Sequence, residues 1–413
     1  MILKFEKKHF LLPFWVIFLV SIHIYIIMIG VSVAFSESLN HGNNTINYDK
    51  AALEDIHGAE TFPTEPSQFA PVRTVFGLHG VALVIPDYRR ENFEVPITSH
   101  LPVDCRGISD VRCHSASTYC SDLYGSSLGS HSQELPLYPI SKLAVYQQPD
   151  DHAFWAINAN FLSTKSRVTG KRQDGNVYYE QPCSVPLGIL ISHGHIISDA
   201  YAVEGTEKNG GPVGFDVLAF WHSTLQKTEN IEVIRNFQNS NATEKPPSAK
   251  SLVDKGVYTA ISGFIVGEDG KPFLQGCTKQ RRDKCLGIPI LSQYPAARTV
   301  IGIGNIDNRN PYQVVVAVFQ PGRQDARKTG LYPWEAADYL MEHYRSKTVF
   351  MLDGGGSSQF VTNTVPSGTA INTSIIPCDR NHGNIWCSLP GDLDRKTGKE
   401  RWRPVTTALT ISP

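Results

Sequence analysis

One stretch of the chain combines residue types and spacing that could do chemistry: Val349–Phe360, VFMLDGGGSSQF. Four apolar residues read as a short buried strand, and Asp353 stands at its end. Three glycines and two serines follow before Phe360 and Val361 resume a strand-like pattern. Glycine loses the most backbone entropy on folding and brings no side chain, so three in a row point to positive φ or to close approach by another group. The amides of Gly354, Gly355 and Gly356 can converge on an anion, with the Ser357 and Ser358 hydroxyls as further donors. Asp353 can ligate a cation, orient a hydroxyl or act as a base. A glycine hairpin with a capping Asp accounts for the same residues. Two other glycine motifs are excluded. No Lys follows the glycines, as a P-loop requires. Gln359 and Phe360 stand where a nucleophile elbow needs glycine.

Other polar residues sit in otherwise apolar surroundings. In FWAINANF, Asn158 and Asn160 alternate with Ile157, Ala159 and Phe161, so a continuing strand puts both amides on one face. Buried amides need partners, either backbone groups or a sugar's hydroxyls. Arg298 precedes the strand-like TVIGIG; it can grip a phosphate bidentately or form an ordinary edge ion pair. His193-Gly194-His195 lies on a predicted hairpin turn with no third metal ligand nearby, and solvated polar residues explain it better than a metal does. No cofactor motif stands out, although a divalent cation at Asp353 fits the residue types.

The elements that must position these groups are readable. Tyr312–Phe319 reads as a buried strand. Trp334, Ala337, Leu340, Met341 and Tyr344 share one helical face, with Glu335, Asp338, Glu342 and Arg345 opposite. Together with Val349–Leu352 they predict a βαβ unit that ends in the glycine turn. Such a turn sits at the carboxyl end of a strand, where ligands commonly bind in α/β sheets. Gln320–Lys328 reads as a loop carrying Arg323 and Arg327. Further strands are expected at Val72–Pro86, Phe93–Thr98, Ala144–Tyr146, Phe154–Asn158, Asp216–Trp221, Tyr258–Val266, Ala297–Gly304 and Val405–Ile411. Hairpins are expected at His193–His195 and Gly267–Lys271, and residues 226–256 read as a polar loop with a short helix. The expected class is therefore α+β or mixed α/β: a sheet-rich single domain with few helices.

At 413 residues there is room for one large domain or two ordinary ones, and with a net charge of −1 and no large single-sign block nothing suggests a nucleic-acid surface. Lys4, Lys7 and Lys8 precede an apolar run from Phe10 to about Val33, with small-residue cleavage patterns at Ser32–Ala34 and Ala34–Ser36. Residues 1–36 thus read as a signal peptide or an uncleaved signal anchor, the run at 10–33 being about long enough to span a bilayer. The chain beyond is expected to be exported. Residues 37–69 read as an exposed lead-in and 70–413 as the folded domain, with a Cys-rich insertion at 103–137. Eight cysteines suit an oxidising compartment. Cys277–Cys285 and Cys378–Cys387 are the expected local disulfides; Cys105, Cys113, Cys120 and Cys183 leave three connectivities open. Zinc is the poorer reading, because no C-x-x-C occurs. Asn43, Asn241 and Asn372 begin glycosylation sequons.

The order of these motifs resembles the phosphodiester glycosidase family: INANF, PLGILISHGHIIS, YTAISG, ARTVIGI, VVVAVF, the GLYPWEAA helix and LDGGGSS, from about residue 70 to the end. The resemblance implies hydrolysis of a sugar-1-phosphodiester at the anomeric carbon, with an N-acetylglucosamine-like sugar. It implicates Asp353, Asn158, Asn160 and Arg298 as catalytic residues. Gly354, Gly355, Gly356, Ser357, Ser358 and Arg323 would bind phosphate or substrate. The chain departs from the family where the usual N-G-x-F-F reads Asn158–Leu162, and where D-G-R is matched only by Gly322-Arg323. The cleavage implied passes through an oxocarbenium-like state and expels a phosphate monoester that is already a stable anion. The site must therefore stabilise charge and place water or a nucleophile. Glu335 or Asp325 could share the work of Asp353. Two other classes use similar donors: a non-catalytic envelope protein that binds phosphoglycans, and a phosphoesterase that cleaves P–O.

Overall fold

The computed structural model describes residues 68–73, 79–96, 135–147, 153–162, 183–200, 214–223, 227–235, 248–278, 280–281, 294–320, 330–363, 375–378, 385–388, 392–393, 400–401 and 405–413. The targeting segment, most of the lead-in, all but the last three residues of the Cys-rich insertion and the sequons lie outside them, as do Arg323 and Asp325.

Two antiparallel sheets dominate. The larger has eleven strands, with the strand Val314–Gln320 beside Arg298–Asn305, and that beside Ser346–Met351. The smaller has six, among them Trp155–Asn158, Phe360–Thr362, Ala408–Ser412 and, at one edge, Asn92–Glu94. Alternation along the strands shows how they stack. Trp155 and Ile157 join one large core with Ile301, Phe350 and Phe360, which come from both sheets. Ala156, between them, faces a second cluster with Ile140, Leu143 and Ala144 of the helix Ile140–Gln147. The larger sheet does the same. Ile301 points to the shared core, whereas Gly302 lies under Leu340 of the helix Pro333–Tyr344. The layers therefore run helix, sheet, sheet, helix. Each fully buried Phe in the shared core contributes roughly 1.5–3 kcal/mol of transfer free energy.

The helix Pro333–Tyr344 rests on bare sheet. A Cβ on Gly302 would lie 2.2 Å from Ser346 Oγ, and one on Gly267 would lie 2.6 Å from Met341 Cε. Its buried face comprises Ala336, Ala337, Tyr339, Leu340, Met341 and Tyr344, with Trp334 only half buried. The strands before and after it are parallel to each other, as a βαβ unit requires, but Arg298–Asn305 lies antiparallel between them.

Several local expectations are corrected. Val72–Pro86 divides into two paired strands, Gln68–Arg73 and His79–Ile85. Ala144–Tyr146 belongs to a helix, because Ile140, Leu143 and Ala144 share a buried face at helical spacing. Thr228–Ile234 is a strand paired with Asp216–His222; its exposed positions gave it the look of a loop. The helix expected nearby is Ala249–Asp254, capped by Ser248. Gln320 ends a strand rather than opening a loop. Cys378–Cys387 is a disulfide, and Cys183 and Cys277 are also disulfide-bonded, while Cys285 lies outside the described residues. No described helix is long and apolar enough to cross a membrane.

Candidate active site

The glycine turn is where the chain leaves one sheet for the other. The strand Ser346–Met351 belongs to the larger sheet and Phe360–Thr362 to the smaller, so Leu352–Gln359 spans the gap between them. At this end of the larger sheet the register sets Arg298 opposite Phe319 and Val300 opposite Met351. Arg298, Gln320 and Asp353, far apart in sequence, thereby meet at one end of the sandwich.

The turn is tied down from both sides. Leu352 N–H donates to Thr299 O and Gly355 N–H to Ala297 O, both at 2.9 Å. Asn158 holds it from the smaller sheet: its Nδ2 donates to Asp353 O at 2.7 Å, and its Oδ1 accepts from Thr299 Oγ1 at 2.6 Å and Gln359 N–H at 3.3 Å. Gly355 has φ +65°, and apart from its chain neighbours no atom of the described residues lies within 4 Å of where its Cβ would be. Gly354 is the opposite case: a Cβ would stand 3.0 Å from Ala297 O and 3.2 Å from Arg298 Nη1. One glycine is required by backbone conformation and the other by the nearness of Arg298.

Asp353 is 7 % exposed, and its Oδ1 accepts the Gly354 N–H at 2.9 Å. This corrects the expectation of a free nest of amides. The Gly354 amide faces the protein's own carboxylate, and the Gly355 amide faces a backbone carbonyl. Ser357 and Ser358 are fully buried, and among the described residues neither hydroxyl has a hydrogen-bond partner. Buried hydroxyls are normally paired, so these two are the unsatisfied donors of the turn.

Arg298 is 2 % exposed. Its Nε donates to Leu331 O at 2.9 Å and its Nη2 to Tyr294 O, while Nη1 lies 4.0 Å from Met351 Sδ. Two of the guanidinium nitrogens are thus held by backbone carbonyls. Burial pulls its pKa down to about 10, and the Asp353 and Glu335 carboxylates oppose that fall. The group stays cationic at neutral pH. Glu335 sits in the first turn of the helix, where its Oε2 accepts the Tyr332 N–H at 2.7 Å. Burial raises the Glu335 pKa, against the Tyr332 hydrogen bond and the Arg298 charge.

Asn160 falls just beyond the end of its strand, and the two amides bond to different segments. Its Nδ2 donates to Leu187 O and Ile189 O, and its Oδ1 accepts the Ser262 N–H. Asn158 and Asn160 therefore brace backbone, the alternative that burial had left open. Among the described residues no three His, Cys, Asp or Glu group to hold a metal ion. His193 is 3.7 Å from Glu94. Sequence reading overlooked Thr299, the Leu331 carbonyl and Gln320; a polar residue ending the run VVVAVF was the available signal for the last.

A family model for phosphodiester glycosidases matches residues 152–409. No curated protein matches the chain. Among solved structures, the zebrafish N-acetylglucosamine-1-phosphodiester alpha-N-acetylglucosaminidase catalytic domain, auto-inhibited by its pro-peptide, is similar at 14 % identity. That match covers 86 % of this chain and 85 % of that one, with a TM-score of 0.45. A Burkholderia pseudomallei protein matches at 12 % identity over 81 % of this chain and 74 % of its own, TM-score 0.41. With the matched region taking in most strands of both sheets and the glycine turn, the chain belongs to the phosphodiester glycosidase family.

Proposed function

We propose that this chain is an exported hydrolase that breaks the C–O bond between a sugar's anomeric carbon and a phosphodiester, an N-acetylglucosamine-type sugar being the first candidate. The observation that carries the reading is the meeting of Asp353, Arg298 and Gly355 on one end of the sandwich. The departing phosphate monoester is a weak base, so its release asks for stabilised negative charge more than for a strong acid. Arg298 supplies a buried positive charge, and the Ser357 and Ser358 hydroxyls supply donors. The missing side chain at Gly355 lets a ligand approach the backbone. Asp353 is the carboxylate assigned to water or to the anomeric carbon, held by Gly354 N–H and, through its carbonyl, by Asn158. Asn158 and Asn160 serve by positioning. Arg323 is retained as a substrate-binding residue by family resemblance. The basic, apolar amino terminus and the disulfides support export.

Hydrolysis of the methyl phosphodiester of N-acetylglucosamine in ¹⁸O-water tests the reading. Cleavage at C–O releases methyl phosphate without label. Label in the phosphate product would identify a P–O phosphoesterase, and saturable binding without turnover would identify a carbohydrate-binding protein.

A further inference from the structure

Gln320 closes the strand Val314–Gln320 and is 1 % exposed. Its Nε2 donates to Ser358 O at 2.9 Å and to Ser388 Oγ at 3.3 Å. Ser388 Oγ in turn accepts the Phe360 N–H at 2.9 Å. One side chain thus links the end of the larger sheet, the exit of the glycine turn and two strands of the smaller sheet. The amide orientation is fixed chemically: a carbonyl only accepts, so the nitrogen must face Ser358 O. The other end is unusual. Among the described residues Gln320 Oε1 is buried without a partner, as are the neighbouring Ser357 and Ser358 hydroxyls. A buried acceptor left unmade costs about 1–3 kcal/mol, and a methionine of the same length would fill the space without that cost. Packing therefore does not account for glutamine here. The hydrogen bond to the turn does.

We infer that Gln320 is a positioning residue of the active site, fixing the Ser357–Ser358 exit of the glycine turn so that its two hydroxyls are presented to the substrate's phosphate. This rests on the proposed function for what the hydroxyls meet. That Gln320 holds the turn is a separate matter with its own readout. Thr299 O, Ala297 O and Asn158 Nδ2 secure the entrance of the turn, and Asn158 Oδ1 accepts the Gln359 N–H from the smaller sheet; nothing else described ties the Ser358 carbonyl to the larger sheet. Small displacements of a reacting group cost large factors in rate, so loss of this tie should appear mainly in kcat.

The test replaces Gln320→Met in the full chain. Two measurements follow: amide hydrogen exchange over residues 357–360, and kcat and KM on the methyl phosphodiester of N-acetylglucosamine. The expected result is faster exchange confined to the turn exit, kcat lowered about 10-fold, and KM within about 2-fold. Unchanged exchange in this segment would overturn the inference whether or not the wild type is active. Faster exchange with an inactive wild type would instead sink the proposed function while leaving the tie in place. Should the Met variant fold poorly, Gln320→Glu keeps the shape. Its carboxyl can donate to Ser358 O only when protonated, so its kcat relative to wild type should fall as pH rises from 5 to 9. A flat ratio across that range overturns the inference.

Discussion

Two of the places where the described sheets meet are built differently. At the glycine turn the covalent chain crosses between them. Along the edge strand Asn92–Glu94, which the chain enters from His79–Ile85 of the larger sheet, a row of backbone carbonyls makes the join. There the outward carbonyls of Glu91, Phe93 and Val95 accept in turn from Thr228 N–H, His222 Nε2–H and Ser192 Oγ–H. Every second carbonyl is capped by the larger sheet, and the opposite side of the strand pairs with Ala408–Ser412. The edge is therefore not available to another chain. This seam meets the requirement of any buried backbone, that its polar groups be paired. Among the described residues the turn leaves two serine hydroxyls and the Gln320 carbonyl unpaired in the same kind of interior. The seam has buried side-chain atoms without a described partner as well, among them Asn92 Oδ1, Thr228 Oγ1 and His222 Nδ1. What sets the turn apart is that its two unmet hydroxyls directly follow Asp353 and the three glycines.

That contrast breaks most readily at Asp353. If its carboxylate is chemical, Asp353→Asn keeps an oxygen for the Gly354 N–H yet removes the charge. Activity should fall by ~10²-fold or more with the Tm nearly unchanged. A folded variant with near-normal hydrolysis would make Asp353 a turn cap and move the turn into the same category as the seam. Arg298→Ala mixes both roles. The Leu331 and Tyr294 carbonyls lose a donor, so calorimetry should find stability lower by about 1–3 kcal/mol. Titration should also show sugar-1-phosphate binding weakened far more than binding of the free sugar. Equal losses for both ligands would assign Arg298 to the scaffold alone.

The smallest expected effect lies at the seam. Burial lowers the His222 pKa, aided by the nearby His193 and opposed by Glu94 and the bond to Phe93 O; Tyr258 stacks on its ring. Its Nδ1 is buried without a partner among the described residues. Because the folded pKa is depressed, the unfolded chain binds the proton more readily. The stabilisation is complete above the unfolded value near 6.5 and is lost as pH falls through the folded value. His222→Gln retains an N–H for Phe93 O, so melting curves should show a reduced loss of stability below about pH 6, with activity unchanged at neutral pH. If the variant melts with the wild type's pH dependence, the acid sensitivity belongs elsewhere.

Long apolar strands were legible because their residues are buried on both faces: Arg298–Asn305, Val314–Gln320 and Thr259–Glu268 read nearly as they fold. So did the helix Pro333–Tyr344, whose spacing is unambiguous over three turns. Thr228–Ile234 was illegible because an edge strand facing solvent carries the composition of a loop. What lay beyond reading was the crossing itself. Eight residues from Leu352 to Gln359 could equally return a chain to its own sheet. Only the pairing of Phe360 with Ile157 places it in the other. The site followed the same rule. Asp353 and the glycines announced themselves locally, whereas the roles of Arg298, Asn158 and Asn160 depended on partners far away in sequence.

The bare glycines beneath the helix have one further consequence. Gly302 and Gly267 set how low Leu340 and Met341 can ride on the sheet. The same helix begins just after Leu331, whose carbonyl holds Arg298. The helix acts as a spacer with its foot on those two glycines and its head beside the guanidinium. A methyl group added under the foot would raise the head. Two positions that touch no ligand thereby gauge where the site's positive charge stands.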